Sequence, residues 1–148
     1  MQTCLVVDTA PVVRKIASRM LPQFGLAVDC VADAAEADKR LAQKGLPDIL
    51  IVAAPILGNE AADFVRRVKA LPGGAKVAIL AVIVEGNLGL MTRLKRAGVA
   101  DFLFKPFDKA SLAAAIGPYL VQGTPSWMGG GGDTSYGEAR AEPSVPER

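Results

Sequence analysis

The 148-residue chain contains no histidine. That absence removes His-based triads, His general bases and His metal ligands. Two cysteines are too few for a structural zinc site of their own. Cys4 and Cys30 both fall in apolar, strand-like segments, where a small buried hydrophobe is expected rather than a disulfide or redox pair. Long hydrophobic runs are missing too: the longest, Val77 to Val84, is far too short to span a bilayer, and the N-terminus reads as a strand without a signal-peptide core. A cytoplasmic location with no membrane contact is the expectation. An excess of charge of one sign is lacking as well: the net +2 predicts no nucleic-acid binding. Its distribution is uneven, +4 up to Leu120 and −2 beyond, so the last segment could weakly screen the rest.

What is present suffices for one hydrophobic core, with 51% hydrophobic and 22% charged residues. Five apolar runs recur at regular spacing and read as strands: Thr3 to Val7, Leu26 to Val31, Ile49 to Ala53, Lys76 to Val84 and Asp101 to Phe104. Segments of helical period lie between them, such as Val13, Ile16, Ala17 and Met20, with Arg14, Lys15, Ser18 and Arg19 on the other side. Strict strand–helix alternation predicts an α/β fold, a parallel sheet covered on both faces.

Pro11 suits the first turn of helix one, and Gly25 follows that helix as a turn residue. Asp33 with Glu36 resembles a capping box for helix two, which Gly45 and Pro47 close. Helix three ends at Pro72-Gly73-Gly74, and helix four runs from about Asn87 to Ala97 before Gly98. Asp108 can cap helix five, whose core stripe is Leu112, Ala115, Ile116 and Tyr119. Pro118 would clash one turn back, so that helix should kink or end near Ile116 to Gly117. The domain is expected over residues 1–120. From 121 to 148 the composition turns to Gly, Pro, Ser and charge, as in a flexible tail. Its glycine run, 129–132, has no preceding strand and is no phosphate loop. Within that tail Trp127-Met128 is an isolated apolar pair, either a docking element or a patch that folds back.

The order and spacing of several short motifs carry a resemblance. Leu5-Val6-Val7-Asp8, Val13-Arg14-Lys15-Ile16, Pro47-Asp48-Ile49-Leu50-Ile51, Phe64-Val65-Arg66-Arg67, Ala97-Gly98-Val99-Ala100-Asp101-Phe102 and Phe104-Lys105-Pro106-Phe107 stand where a receiver domain of the two-component response-regulator family has such residues. From roughly Thr3 to Leu120 the chain resembles a CheY-like single-domain receiver. The resemblance implies a flavodoxin-like, doubly wound (βα)5 fold with strand order 2-1-3-4-5. It also implies phosphoryl transfer at the carboxyl ends of the strands. That chemistry uses a phosphoaccepting Asp after strand three, two acids after strand one holding Mg²⁺, a hydroxyl after strand four and a Lys after strand five.

Only part of that set is present. Asp8 matches the first acid, but Thr9 stands at the second, Ala53 at the phosphoacceptor and Ile83 at the hydroxyl, with Val84 behind it. Lys105 and Pro106 are retained, and Phe102 holds the aromatic switch position. Mg²⁺ demands near-octahedral oxygen ligation, so its binding is expected to be weak or absent, and no other cofactor is called for. An alanine methyl has no nucleophilic oxygen, which rules out an acyl phosphate at 53. Ile83 can fill space that a hydroxyl would leave, and Asp8 and Lys105 are expected to remain as a structural pair.

These residues point to a degenerate, phosphorylation-independent receiver, not an enzyme, that binds a protein: a histidine kinase, a phosphotransfer protein or another signalling protein. The expected surface is the helix-four, strand-five, helix-five face, where Arg93, Lys95, Arg96, Lys105 and Lys109 supply charge and Phe102, Phe104 and Phe107 supply rings beside Pro106. The same face could pair two copies as a homodimer. A second reading gives the arginines a small anionic ligand such as a nucleotide or cyclic dinucleotide. The tail is too short and polar for a helix-turn-helix, so no DNA binding is expected.

Overall fold

The computed structural model describes residues 1–54, 60–84 and 86–121. Among them are strands β1 (Thr3–Val7), β2 (Ala27–Val31), β3 (Ile49–Ala53), β4 (Ala78–Ile83) and β5 (Asp101–Phe104). The helices are α1 (Pro11–Met20), α2 (Ala34–Lys44), α3 (Glu60–Ala70), α4 (Leu88–Ala97) and α5 (Lys109–Ile116). The strands form one parallel sheet in the order β2-β1-β3-β4-β5. The expected α/β class and strand order are both found. β4 is shorter than its apolar run, because Gly74–Lys76 closes into a 3-10 turn before it. No helix of the described residues is long and apolar enough to cross a membrane.

Side-chain alternation divides the core in two. Leu5, Val7, Leu50, Val52, Ile79, Ala81 and Ile83 pack against α2, α3 and α4 through Leu41, Phe64, Val68 and Leu94. Cys4, Val6, Ile49, Ile51, Leu80, Val82 and Leu103 face α1 and α5 through Ala17, Leu112 and Ile116. β3 is buried at every position, which explains its uninterrupted apolar sequence. On α1 the periodic reading is only partly right: Ala17 is buried, but Ile16 is 39% exposed. Of the ten residues of α1 only Ala17 is fully buried, so the helix seats a narrower stripe than its apolar residues suggest.

The helix ends follow local chemistry. Asp33 accepts from the Glu36 amide, whereas Glu36 reaches back to the Ala32 amide and not to Asp33, so the expected box is shifted by one residue. Asn87 caps α4 through the Leu90 amide. Asp108 and Ser111 form a full reciprocal box on α5. α5 stops at Ile116 and Gly117–Tyr119 tightens into a 3-10 turn, as Pro118 requires. Gly98 ends α4 at φ 126°, beneath the Lys69 stem, where an added Cβ would lie 2.8 Å from Lys69 Cγ. The expected flexible tail falls, beyond Val121, outside the described residues.

The Ser111 amide, and then its hydroxyl, hold the Asp108 carboxyl below the usual aspartate range. A carboxyl with a folded pKa below its unfolded value stabilises fully above the unfolded pKa, and that contribution disappears as pH falls through the folded one. Asp108→Ala should therefore lower the melting temperature at neutral pH, with the difference from the parent shrinking in acid; thermal denaturation across pH measures it.

Candidate functional site

Parallel register assembles the site. Val7 pairs with Val52, so Asp8 and Ala53 follow side by side beyond that pair. Ala53 pairs with Val82 and Ile83 with Phe104. The Lys105 amide then donates to the Ile83 carbonyl at 2.9 Å. Asp8, Ala53, Ile83 and Lys105 thus reach one edge of the sheet, its carboxyl end, where open α/β sheets form their crevices.

Asp8 is the one buried charged or polar side chain among the described residues, at 2% exposure. Its Oδ1 accepts from the Ala10 amide at 2.9 Å and so fixes the turn into α1, whose N-terminus has no other side-chain cap. Lys105 Nζ stands 2.8 Å from Asp8 Oδ2. At that distance the ammonium offsets the charge of the buried Oδ2. Below the pair is a void of only about 10 Å³, lined by Val6, Val13, Leu103, Phe107 and Leu112 with Asp8 at its edge.

Thr9 is exposed at the start of the β1–α1 turn, and Ala53 is buried at the last position of β3. Ile83 packs in the α2–α3–α4 core. It fills that core layer more than the crevice, because the strand's alternation turns it to that face. Val84 is exposed rather than packed behind Ile83. No three of the described Cys, Asp and Glu side chains converge in a way that could hold a metal ion. Neither cysteine is an activated nucleophile: burial, then proximity to Cys30, pushes the Cys4 thiol up, and burial raises Cys30 against the opposing pull of Arg14.

Arg14 is the residue the periodic reading misplaced. Assigned to the outer polar side of α1, it instead donates to the Asp8 carbonyl at 2.7 Å. Its position six residues after Asp8, less than two helical turns into α1, was the available signal.

The basic and aromatic residues divide among several roles. Arg93 and Arg96 are exposed on α4. Lys95 is committed to the α4–β5 connection, donating to the Ala100 carbonyl at 2.8 Å. Phe102 packs on the α2–α3–α4 core and Phe107 on the α1–α5 core, so the three rings do not form one patch. Of the three rings Phe104 alone is open, at 46% exposure; Val84 just after β4 and Leu88 at the start of α4, at 83%, are exposed too. Pro106 is exposed after a cis Lys105-Pro106 bond, and Lys109 is half-buried in the first turn of α5.

The response regulator receiver domain model matches residues 4–117. The chain belongs to the response regulator receiver domain family. This receiver is similar to chemotaxis response regulator CheY4 of Vibrio cholerae, with a TM-score of 0.71, 27% identity, and coverage of 81% of this chain and 99% of that one. It is also similar to the receiver domain of sensor histidine kinase PA1611 from Pseudomonas aeruginosa, a structure with a magnesium ion coordinated in the active site cleft: TM-score 0.67, 28% identity, 80% and 97% covered. A third relative is the phosphate regulon transcriptional regulatory protein PhoB of Rhizobium meliloti, 29% identical over 101 residues; the match takes in 68% of this chain and 44% of that protein's length. Membership makes this a receiver domain of two-component signalling, a module class that interacts with signalling proteins such as histidine kinases.

Removing one partner of a buried ion pair leaves an uncompensated charge. Lys105→Met should cost about 3 kcal/mol, the lower end for such pairs because the Lys105 side chain is 18% exposed. Asp8→Asn in that background should recover part of the loss, as urea denaturation of the four-member mutant cycle will show.

Proposed function

We propose that this receiver works without phosphorylation, as a non-catalytic protein-binding module in the cytoplasm. The observation that carries the reading is Ala53 at the end of β3: the position at which the family resemblance expects an acceptor carboxylate has no side-chain oxygen. Asp8 faces Lys105, so an arriving divalent cation would meet one carboxylate already opposed by an ammonium. Thr9 and Ala53 add no charge. Such a donor set does not suit Mg²⁺, which favours octahedral oxygen ligation, unlike the cleft of the Pseudomonas receiver with its bound magnesium. Ile83, held in the core, has no hydroxyl with which to sense a phosphoryl group.

A partner docks on the surface formed by α4, β5 and α5. Exposed Phe104, Val84 and Leu88 supply apolar contact, and Arg93 and Arg96 supply charge beside it. An acidic signalling protein, a histidine kinase or a phosphotransfer protein among them, fits that chemistry better than DNA does. The same apolar surface serves equally for a second copy of the chain.

Acetyl phosphate should leave no stable phosphate on the protein, and Mg²⁺ with beryllofluoride should produce no specific NMR shifts at Asp8, Ala53 or Lys105. Phosphate incorporation that is lost in Asp8→Asn would overturn the reading. Combining Thr9→Asp, Ala53→Asp and Ile83→Thr should create saturable Mg²⁺ binding where the parent has none. In a pull-down with cognate signalling proteins, Arg93→Glu with Arg96→Glu should weaken capture roughly tenfold or more, as expected when about 1.4 kcal/mol of interaction is lost. Unchanged capture would remove α4 from the docking surface.

A further inference from the structure

At the amino ends of the strands, opposite the crevice, is a groove of about 280 Å³ between Met1, Gln2, Phe24, Gly25, Asp48 and Val121. Two of the most exposed apolar side chains of the described residues flank it, Met1 at 93% and Val121 at 80%. The last described residues are held at this point: Gln2 Nε2 donates to the Tyr119 carbonyl at 3.0 Å, and Gln2 Oε1 accepts from the Val121 amide at 2.8 Å. One side chain therefore ties the first strand to the beginning of the C-terminal segment.

We propose that Trp127-Met128 of that segment docks into this groove of its own chain. Trp127 lies six residues beyond Val121, a reach of at most roughly 20 Å. That length cannot both pass around a helix layer roughly 10 Å thick and climb the roughly 16 Å of a five-residue strand to the crevice. Reach thus confines the indole to the amino ends of the strands, and this groove is at its point of departure. Gly123 and Pro125 in the intervening stretch are residues that favour chain reversal. The groove has room for an indole, apolar walls from Phe24, Met1 and Val121, and the Asp48 carboxylate on its rim to accept the indole N–H. A short tether gives an effective concentration on the order of millimolar, so modest contact area is enough. Docking here leaves the crevice and the α4–β5–α5 surface open.

The chain has a single tryptophan, so its fluorescence reports this site alone. In the full-length protein, Trp127 should emit to the blue of free N-acetyltryptophanamide and be quenched several-fold less by acrylamide. Val121→Asp and Gln2→Ala should each shift emission to the red and raise quenching, with far-UV circular dichroism unchanged. Protection should not depend on protein concentration. Free-tryptophan emission in the parent, protection indifferent to both substitutions, or protection that grows with concentration and so reports exchange between copies would each overturn the proposal. Should either variant fail to fold, cross-peaks between the Trp127 indole and the Met1 and Val121 methyls in the parent decide; their absence is equally fatal.

Discussion

Parallel register is the constraint on which everything else in this molecule depends. All five strands run the same way, so every strand ends on one edge, and residues separated by scores of positions become neighbours there. β3, flanked by β1 and β4 and packed on both faces, cannot shift by one residue without turning Leu50 and Val52 out of one core layer and Ile49 and Ile51 out of the other. Fixing β3 fixes Ala53, and through the β3–β4 and β4–β5 ladders it also fixes Ile83 and Lys105.

At that edge the charges satisfy one another. In a receiver whose crevice handles a phosphoryl group, an acid and a lysine would share the work of balancing incoming charge. Here Lys105 lies against Asp8, and Asp8 also holds the entry into α1 through the Ala10 amide. Arg14 closes the same turn from the helix side. The result is a structural knot linking β1, α1 and the end of β5. An ion pair so buried is stabilising only while both members are present, which gives Asp8 and Lys105 a reason to persist independent of chemistry. At the other end of the sheet Gln2 performs the corresponding mechanical task, tying the start of the first strand to Tyr119 and Val121 after α5.

Much of this was legible in sequence because the signals are local. Asp108 with Ser111, Asn87 before α4 and Pro118 after Ile116 act within a few residues of themselves, and each element begins or ends accordingly. The five apolar runs marked the strands, and their alternation with helical segments marked a sheet covered on both faces, without reference to anything distant. What escaped were matters of direction. Ile16 fits the helical period yet points to solvent, Arg14 fits the polar side yet turns to the Asp8 carbonyl, and Phe102, Phe104 and Phe107 lie close in sequence but serve opposite core layers and the surface.

The sequence by itself determined the alternation of strands and helices, the caps that bound them, and the chemical poverty of positions 9, 53 and 83, because propensity, periodicity and side-chain composition are properties of short segments. Only the tertiary structure decided that Asp8 faces Lys105 at 2.8 Å, that Lys95 is committed to a backbone carbonyl while Arg93 and Arg96 are not buried, and that Phe104 is the one open ring of the three. Those outcomes depend on register and on which layer each side chain enters. Both are set by packing between elements distant in the chain.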